Sequence, residues 1–305
     1  MLAAVTAISG YLQIGLGGLV RVSGSGLGCP DWPTCHGRLY PPLTFHGIVE
    51  YSHRANGALF GLLVILVVLA GFWLGRGRAK DLRWLALATL LTVVGEGLLG
   101  WQVVANLLAP ALVMVHLAIA LVILGLMVAL YILSGPAPAA RLGRSFGGLA
   151  LGGAALTFLL QLTGSAVVAT DADLVCKSWP LCGGGFALDF SGVAGFDVLH
   201  RVFAGVVGVY LVYLLALAIR RHGSVRAVAV TAWSTLALLL VQVALGAGAA
   251  LTNEVAWIQG AHVMVASAVW AGVAALAVIG LRPAAGPVRE IEENSRVTTL
   301  ESRPA

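Results

Sequence analysis

The 305 residues are 59% hydrophobic and only 10% charged, with a mean hydropathy of +0.96, and no soluble globular domain of this length has an interior large enough to hide that composition. A net charge of +5 and a pI of 9.3 could point to nucleic acid. The basic residues, however, sort by connection instead of forming a stripe, so they report membrane topology and exclude a nucleic-acid partner.

Crossing about 30 Å of hydrocarbon takes about 20 apolar residues. Eight runs qualify: residues 3–22, 52–74, 84–105, 110–133, 148–169, 199–219, 227–251 and 257–281. The first lacks a basic leading region and a small-residue cleavage site, so it is expected to be a spanning helix and not a cleaved signal peptide. It carries Gln13, Gly15, Gly17 and Gly18, small residues that permit close helix approach. The passage after it, CPDWPTCHGRLYPPLTFHGIVEYSHR from Cys29 to Arg54, is the densest polar stretch in the chain. Glu50 stands three residues before His53 there, on the same helical face. Carboxylates also favour helix N-termini for their own sake, which explains Glu50 equally well.

Arg76, Arg78, Lys80 and Arg83 follow the second span. The third holds Glu96, the only acid well inside a run, read as a polar interhelix contact. The fourth holds His116, and the Pro-containing stretch SGPAPAARLGR with Arg141 and Arg144 leads into the fifth span with Gln161. CKSWPLCGGGFALDFSGVAGFDVLHR from Cys176 to Arg201 then repeats the earlier passage: two cysteines enclosing Trp-Pro, and Asp197 three residues before His200. Arg220, Arg221 and Arg226 separate the sixth and seventh spans, and Gln242 in the seventh answers to Glu96. The eighth holds His262, and the tail with Glu290, Glu292, Glu293, Arg289, Arg296 and Arg303 reads as disordered.

Aligning Gln13 with Gln161 brings both cysteines, the His-Arg pair and the later histidine into register after one-residue shifts. The chain is therefore expected to be an all-α polytopic membrane protein whose eight transmembrane helices form two pseudo-symmetric four-helix bundles. Residues 1–133 form the N-terminal bundle, 134–147 a cytoplasmic linker, 148–281 the C-terminal bundle and 282–305 a cytoplasmic tail. By the positive-inside rule both termini are cytoplasmic, and the loops over residues 23–49 and 170–198 face outward. In that oxidising compartment disulfides Cys29–Cys35 and Cys176–Cys182 follow, each closing a small ring worth about 2 kcal/mol. The second pair reads as a structural clip, whereas for the first a redox-active role stays open.

A lone histidine in a span is usually a packing residue, but His53 and His116 recur as His200 and His262. Two imidazoles at one depth on neighbouring helices make an axial pair for a haem iron. Zinc or copper would call for a third donor at that depth, and the cysteines lie in the loops. Arg21, Arg54 and Arg201 stand at the same face and could bind propionates, or could simply snorkel. His36, His46 and His222 have no counterparts and read as loop surface.

Taken together, GGLVRVSGSGLGCPDWPTCHG, EYSHR, CKSWPLC, LHR and the two later histidines resemble the haem A synthase family over the length to residue 281. The resemblance implies an oxidoreductase that converts the C8 methyl of haem O to the formyl of haem A by successive hydroxylations. It implies a permanent haem B on His200 and His262, acting as electron relay, and substrate haem O between His53 and His116. Glu50 is implied to be the catalytic carboxylate, and Cys29 with Cys35 the functionally important pair. A haem O synthase as supplier, a membrane electron donor of unassigned identity and a homo-oligomer are the partners this reading leaves open. Ser23 stands where the family more usually has Thr, and Glu96 where Gln would be expected. The alternative from another class is a non-catalytic dihaem electron-transfer cytochrome. A thiol oxidase built on the loop cysteines would leave the four membrane histidines unexplained.

Overall fold

The computed structural model describes residues 1–73, 79–136, 142–183, 185–186, 188–252 and 255–283. Arg76, Arg78, residues 137–141 of the expected linker with Arg141, the side chain of Lys80 and the tail with Arg289, Glu290, Glu292, Glu293, Arg296 and Arg303 lie outside the described residues. The described elements are α1 (Leu2–Val22), α2 (Phe45–Trp73), α3 (Ala79–Ala105), α4 (Pro110–Ser134), α5 (Arg144–Ala169), the one-turn α6 (Ala172–Val175), α7 (Ala194–His222), α8 (Arg226–Leu251) and α9 (Ala256–Leu281). All except α6 are long and apolar enough to cross a membrane, and the chain is an all-helical, multi-pass membrane protein. Large apolar side chains such as Leu62, Leu91, Val209 and Leu240 are exposed along these helices, as a lipid solvent requires.

Helices α1 to α4 close a ring in which α1 touches α2, α2 touches α3, α3 touches α4 and α4 returns to α1. Helices α5, α7, α8 and α9 close a second ring in the same order. The rings meet through α1 with α9, α4 with α9 and α4 with α5, a set that maps onto itself when the copies are exchanged. That adjacency is consistent with two pseudo-symmetric bundles. Each ring has its own apolar core, around Val64, Met127 and Leu130 in the first and around Leu211, Leu214, Val273 and Leu276 in the second.

The chain between α5 and α7 contains α6, which hydropathy did not reveal because a single turn is too short to show a period. The two helices after the cysteine loops also start earlier than their apolar runs: α2 at Phe45 instead of residue 52, and α7 at Ala194 instead of residue 199. Hydropathy stops at Glu50, Ser52, His53 and Arg54, or at Asp197, His200 and Arg201, but a helix continues wherever such side chains find partners. His53 therefore lies about two turns inside α2 and not at its start. His200, His116 and His262 lie nearly as far inside α7, α4 and α9.

Candidate functional site

Each cysteine loop is fastened to the helix that follows it by one arginine. Arg54 donates to Glu50 Oε1 (2.5 Å) and to three loop carbonyls, those of Cys29 (2.5 Å), Asp31 (2.5 Å) and Thr34 (2.9 Å). Arg201 grips Asp197 with two nitrogens, at 2.9 and 2.6 Å, and donates to the carbonyls of Cys176 (3.0 Å), Ser178 and Pro180 (3.4 Å). Both disulfides are formed within these loops, Cys29–Cys35 and Cys176–Cys182, and both Trp-Pro peptides are cis. Cys176, Cys182 and Asp197 are the one trio of metal-type donors close enough to share an ion among the described residues, but the disulfide occupies both sulfurs.

Glu50 is buried, and its second oxygen accepts the Cys29 amide at 2.8 Å. It does not stand in the first turn of α2, so it caps the loop and not its own helix. Asp197 does stand in the first turn of α7, yet it pairs with Arg201. The guanidiniums are engaged as well: all five N–H groups of Arg201 and four of Arg54 point at protein oxygens. Snorkelling does not describe either residue, and a propionate at Arg201 would have to displace a loop bond. Arg21, at the end of α1, lies opposite Asp171 and Asp173 of the other copy. Partial burial raises the Asp173 carboxyl above its ordinary value, an effect that Arg21 opposes.

The four membrane histidines form two couples, His53 within electrostatic range of His116 and His200 of His262. Every imidazole rests on a glycine of a neighbouring helix. A Cβ on Gly17 would lie 3.2 Å from His53 Nε2, one on Gly100 3.3 Å from His116 Cε1, one on Gly164 3.0 Å from His200 Cε1 and one on Gly246 3.0 Å from His262 Cε1. Thr163 donates to Leu160 O (2.8 Å), so its oxygen accepts from His200 Nδ1 (2.9 Å), and His200 Nε2 keeps its lone pair for a metal. His262 Nε2 meets Gln242 Nε2 at 3.1 Å, and His116 Nδ1 meets Glu96 Oε1 at 3.1 Å. His262 Nδ1, Gln242 Oε1 and Gln161 Nε2 are buried without a hydrogen-bond partner, each at a cost of about 1–3 kcal/mol. With both cysteine pairs closed as disulfides and a carboxylate beside the later histidine of only one copy, the recurring imidazole couples fit a bis-histidine haem better than a small ion.

Several members of this arrangement are not evident from the sequence. Thr163 lies in an apolar run, and only its position one turn from Leu160 and beside α7 gives it a role. Asn56 bridges Ser9 O (3.1 Å) and Gln13 Oε1 (2.8 Å), fixing α2 against α1 one turn beyond His53. The signal that could have found the partners of the later histidines was the Glu96/Gln242 correspondence, which was visible as an equivalence but not as a contact. His36 and His46 are exposed, yet His36 Nε2 lies 3.1 Å from Gly28 O and His46 Nδ1 2.9 Å from Ser25 Oγ. His222 packs on Phe146 at the opposite end of the molecule.

Residues 1–48 and 43–274 match the family model described as cytochrome oxidase assembly protein, COX15-CtaA. A protein named heme A synthase from Symbiobacterium thermophilum is 30% identical over 250 residues, covering 76% of this chain and 78% of its own. Proteins of the same name from Halalkalibacterium halodurans and Geobacillus kaustophilus are each 27% identical. The first alignment covers 86% of this chain and 90% of that protein, the second 96% and 94%.

Proposed function

This chain belongs to the COX15-CtaA cytochrome oxidase assembly protein family, and on that premise we propose that it is a haem A synthase, oxidising the C8 methyl of haem O to a formyl group. A role in haem A biosynthesis rests on the relatives' shared name, and the observation that carries the finer reading is the recurrence of the histidine couple, one per copy, on matched glycines. In this reading His200 and His262 hold a resident haem B, while His53 and His116 receive haem O as substrate. When bound, the resident haem supplies one-electron chemistry that lets electrons pass between the copies.

The residues of the chain divide the remaining work. Thr163 holds His200 in the tautomer with Nε2 available. Glu50, bonded to the Cys29 amide and to Arg54, stands on the His53 face of α2 and is the group available to take or return a proton as the methyl is hydroxylated twice and the resulting diol loses water. Arg54 holds the first loop as a lid over that copy, and the Cys29–Cys35 disulfide keeps its shape. The loops are proposed to face outward and both termini the cytoplasm, because Arg83, Arg144, Arg220, Arg221 and Arg226 all lie at helix ends remote from the cysteines. A haem O synthase is the proposed supplier, the membrane electron donor is unassigned, and association into a homo-oligomer is compatible with the lipid-facing surface.

Co-expression with a haem O synthase, followed by extraction and identification of the haems, tests this reading. Haem A should accumulate with the wild type and fail to accumulate with His53→Ala or His116→Ala, while haem B stays bound. Glu50→Ala should bind haem O but convert it at least ~100-fold more slowly, the usual worth of a general acid-base group. Haem O left untouched by the wild type, with two permanent haem B per chain, would instead make the protein an electron carrier.

A further inference from the structure

The two copies differ in what meets the later histidine, and that difference deepens the proposed function. Glu96 on α3 brings Oε1 to 3.1 Å from His116 Nδ1, and the Glu96 and His116 side chains retain 13% and 26% of their exposure. Nδ1 and both carboxyl oxygens are buried without an aligned hydrogen-bond partner, and Oε1 stands within ion-pair reach of Nδ1. The imidazole also rests on Gly100, one helical turn beyond Glu96 on the same helix, which confines the ring between the two positions. The second copy varies this construction: Gln242 stands one turn before Gly246 on α8, but its amide nitrogen meets the other ring nitrogen, His262 Nε2, at 3.1 Å. An amide thus fills the equivalent place, and packing alone does not call for an acid at position 96. An acid in a spanning helix is costly unless it is used or paired.

Resting on the reading that His116 ligates the substrate haem, we propose that Glu96 is a positioning residue that holds His116 with its proton on Nδ1 and strengthens Nε2 as a donor. A carboxyl oxygen accepting from Nδ1–H fixes the tautomer and raises ligand basicity, which favours the oxidised iron. Gln242 does not do so in the second copy, where its amide nitrogen donates to His262 Nε2 and Nδ1 has no hydrogen-bond partner. The carboxyl therefore biases the first copy toward holding an oxidised, reactive haem, and the amide leaves the second suited to passing electrons. The two bundles thereby acquire different redox character from one change of functional group at a shared position.

Redox titration of the full-length protein, loaded with haem O in the first copy and haem B in the second, tests the assignment. Glu96→Gln, which copies the residue of the other bundle and should fold, is expected to raise the potential of the haem O alone and to weaken its binding about 10-fold. If Glu96→Gln leaves the haem O potential and spectrum at wild-type values while His116→Ala loses haem O, the positioning role is overturned and the haem site stands. If His116→Ala retains haem O with an unchanged spectrum, the underlying ligand assignment fails, whatever Glu96 does.

Discussion

At the scale of single residues, arginine and carboxylate chemistry explains the cysteine loops better than the disulfides do. A seven-residue ring contributes about 2 kcal/mol, whereas removing one partner of a buried charged pair costs about 3–5 kcal/mol because the other is left uncompensated. Glu50 with Arg54 and Asp197 with Arg201 are such pairs, and each arginine also closes the carbonyls of its loop. Asp31 organises the tip of the first loop in the same manner. Its carboxylate accepts from the Thr34 hydroxyl, the Gly37 amide (2.7 Å) and the His36 amide (2.5 Å), and these bonds hold it well below the usual carboxylate range. Because the folded value lies below the unfolded one, the stabilisation is complete above about pH 3.9 and is lost as the pH falls through the folded value. The His36 and Gly37 amides should therefore stay protected from hydrogen exchange between neutral pH and about pH 4. Asp31→Asn should speed their exchange several-fold at neutral pH, and unchanged exchange in that variant would show that the carboxylate does not hold the turn.

Among the elements, the decisive feature is the approach of each histidine-bearing helix to a glycine on its neighbour. In a bilayer no hydrophobic driving force pulls helices together, so close packing at small residues supplies much of the association. Here the small residues also leave room for an imidazole. Gly246→Ala would bring a Cβ to 3.0 Å from His262 Cε1, tighter than the ring can accept without turning. The expected outcome is roughly 10-fold weaker retention of the second haem with the first unaffected, read as haem stoichiometry in the purified protein. Equal retention would mean that the ring can shift freely and that the glycine is incidental. The early starts of α2 and α7 belong to this scale as well, since they carry His53 and His200 about two turns into their helices, beside the later pair.

Across the whole molecule, the seam between the bundles is built from α1, α4, α5 and α9 around Ile14, Leu121, Leu124 and Trp270. Trp270 donates its indole N–H to Ala154 O at 3.0 Å, and Tyr11 reaches from α1 to Met264 O on α9 at 3.1 Å. At the far end Arg282 donates to the carbonyls of Ile132 (2.7 Å), Leu133 (3.2 Å), Gly135 (2.6 Å) and Pro136 (2.9 Å), joining the end of α9 to the end of α4. Trp270 fits only because Gly125 has no side chain, since a Cβ there would stand 2.5 Å from the indole ring. Gly125→Ala should cost about 1–3 kcal/mol of stability through overpacking, measurable as a lower denaturant midpoint with haem bound in both copies. An unchanged midpoint would show that the seam yields without loss. The sequence by itself determined the membrane class, the number of spans, the duplication and the identity of the four histidines, because hydropathy and repeated motifs are properties of local order along the chain. Only the tertiary structure decided that Glu50 bonds to the Cys29 amide, that Arg54 and Arg201 hold the loops, that Thr163 orients His200, and that Glu96 and Gln242 meet the later histidines. The physical reason is that a polar side chain inside a bilayer must find a partner across helices, and which helix faces it is set by bundle packing that no single helical period encodes.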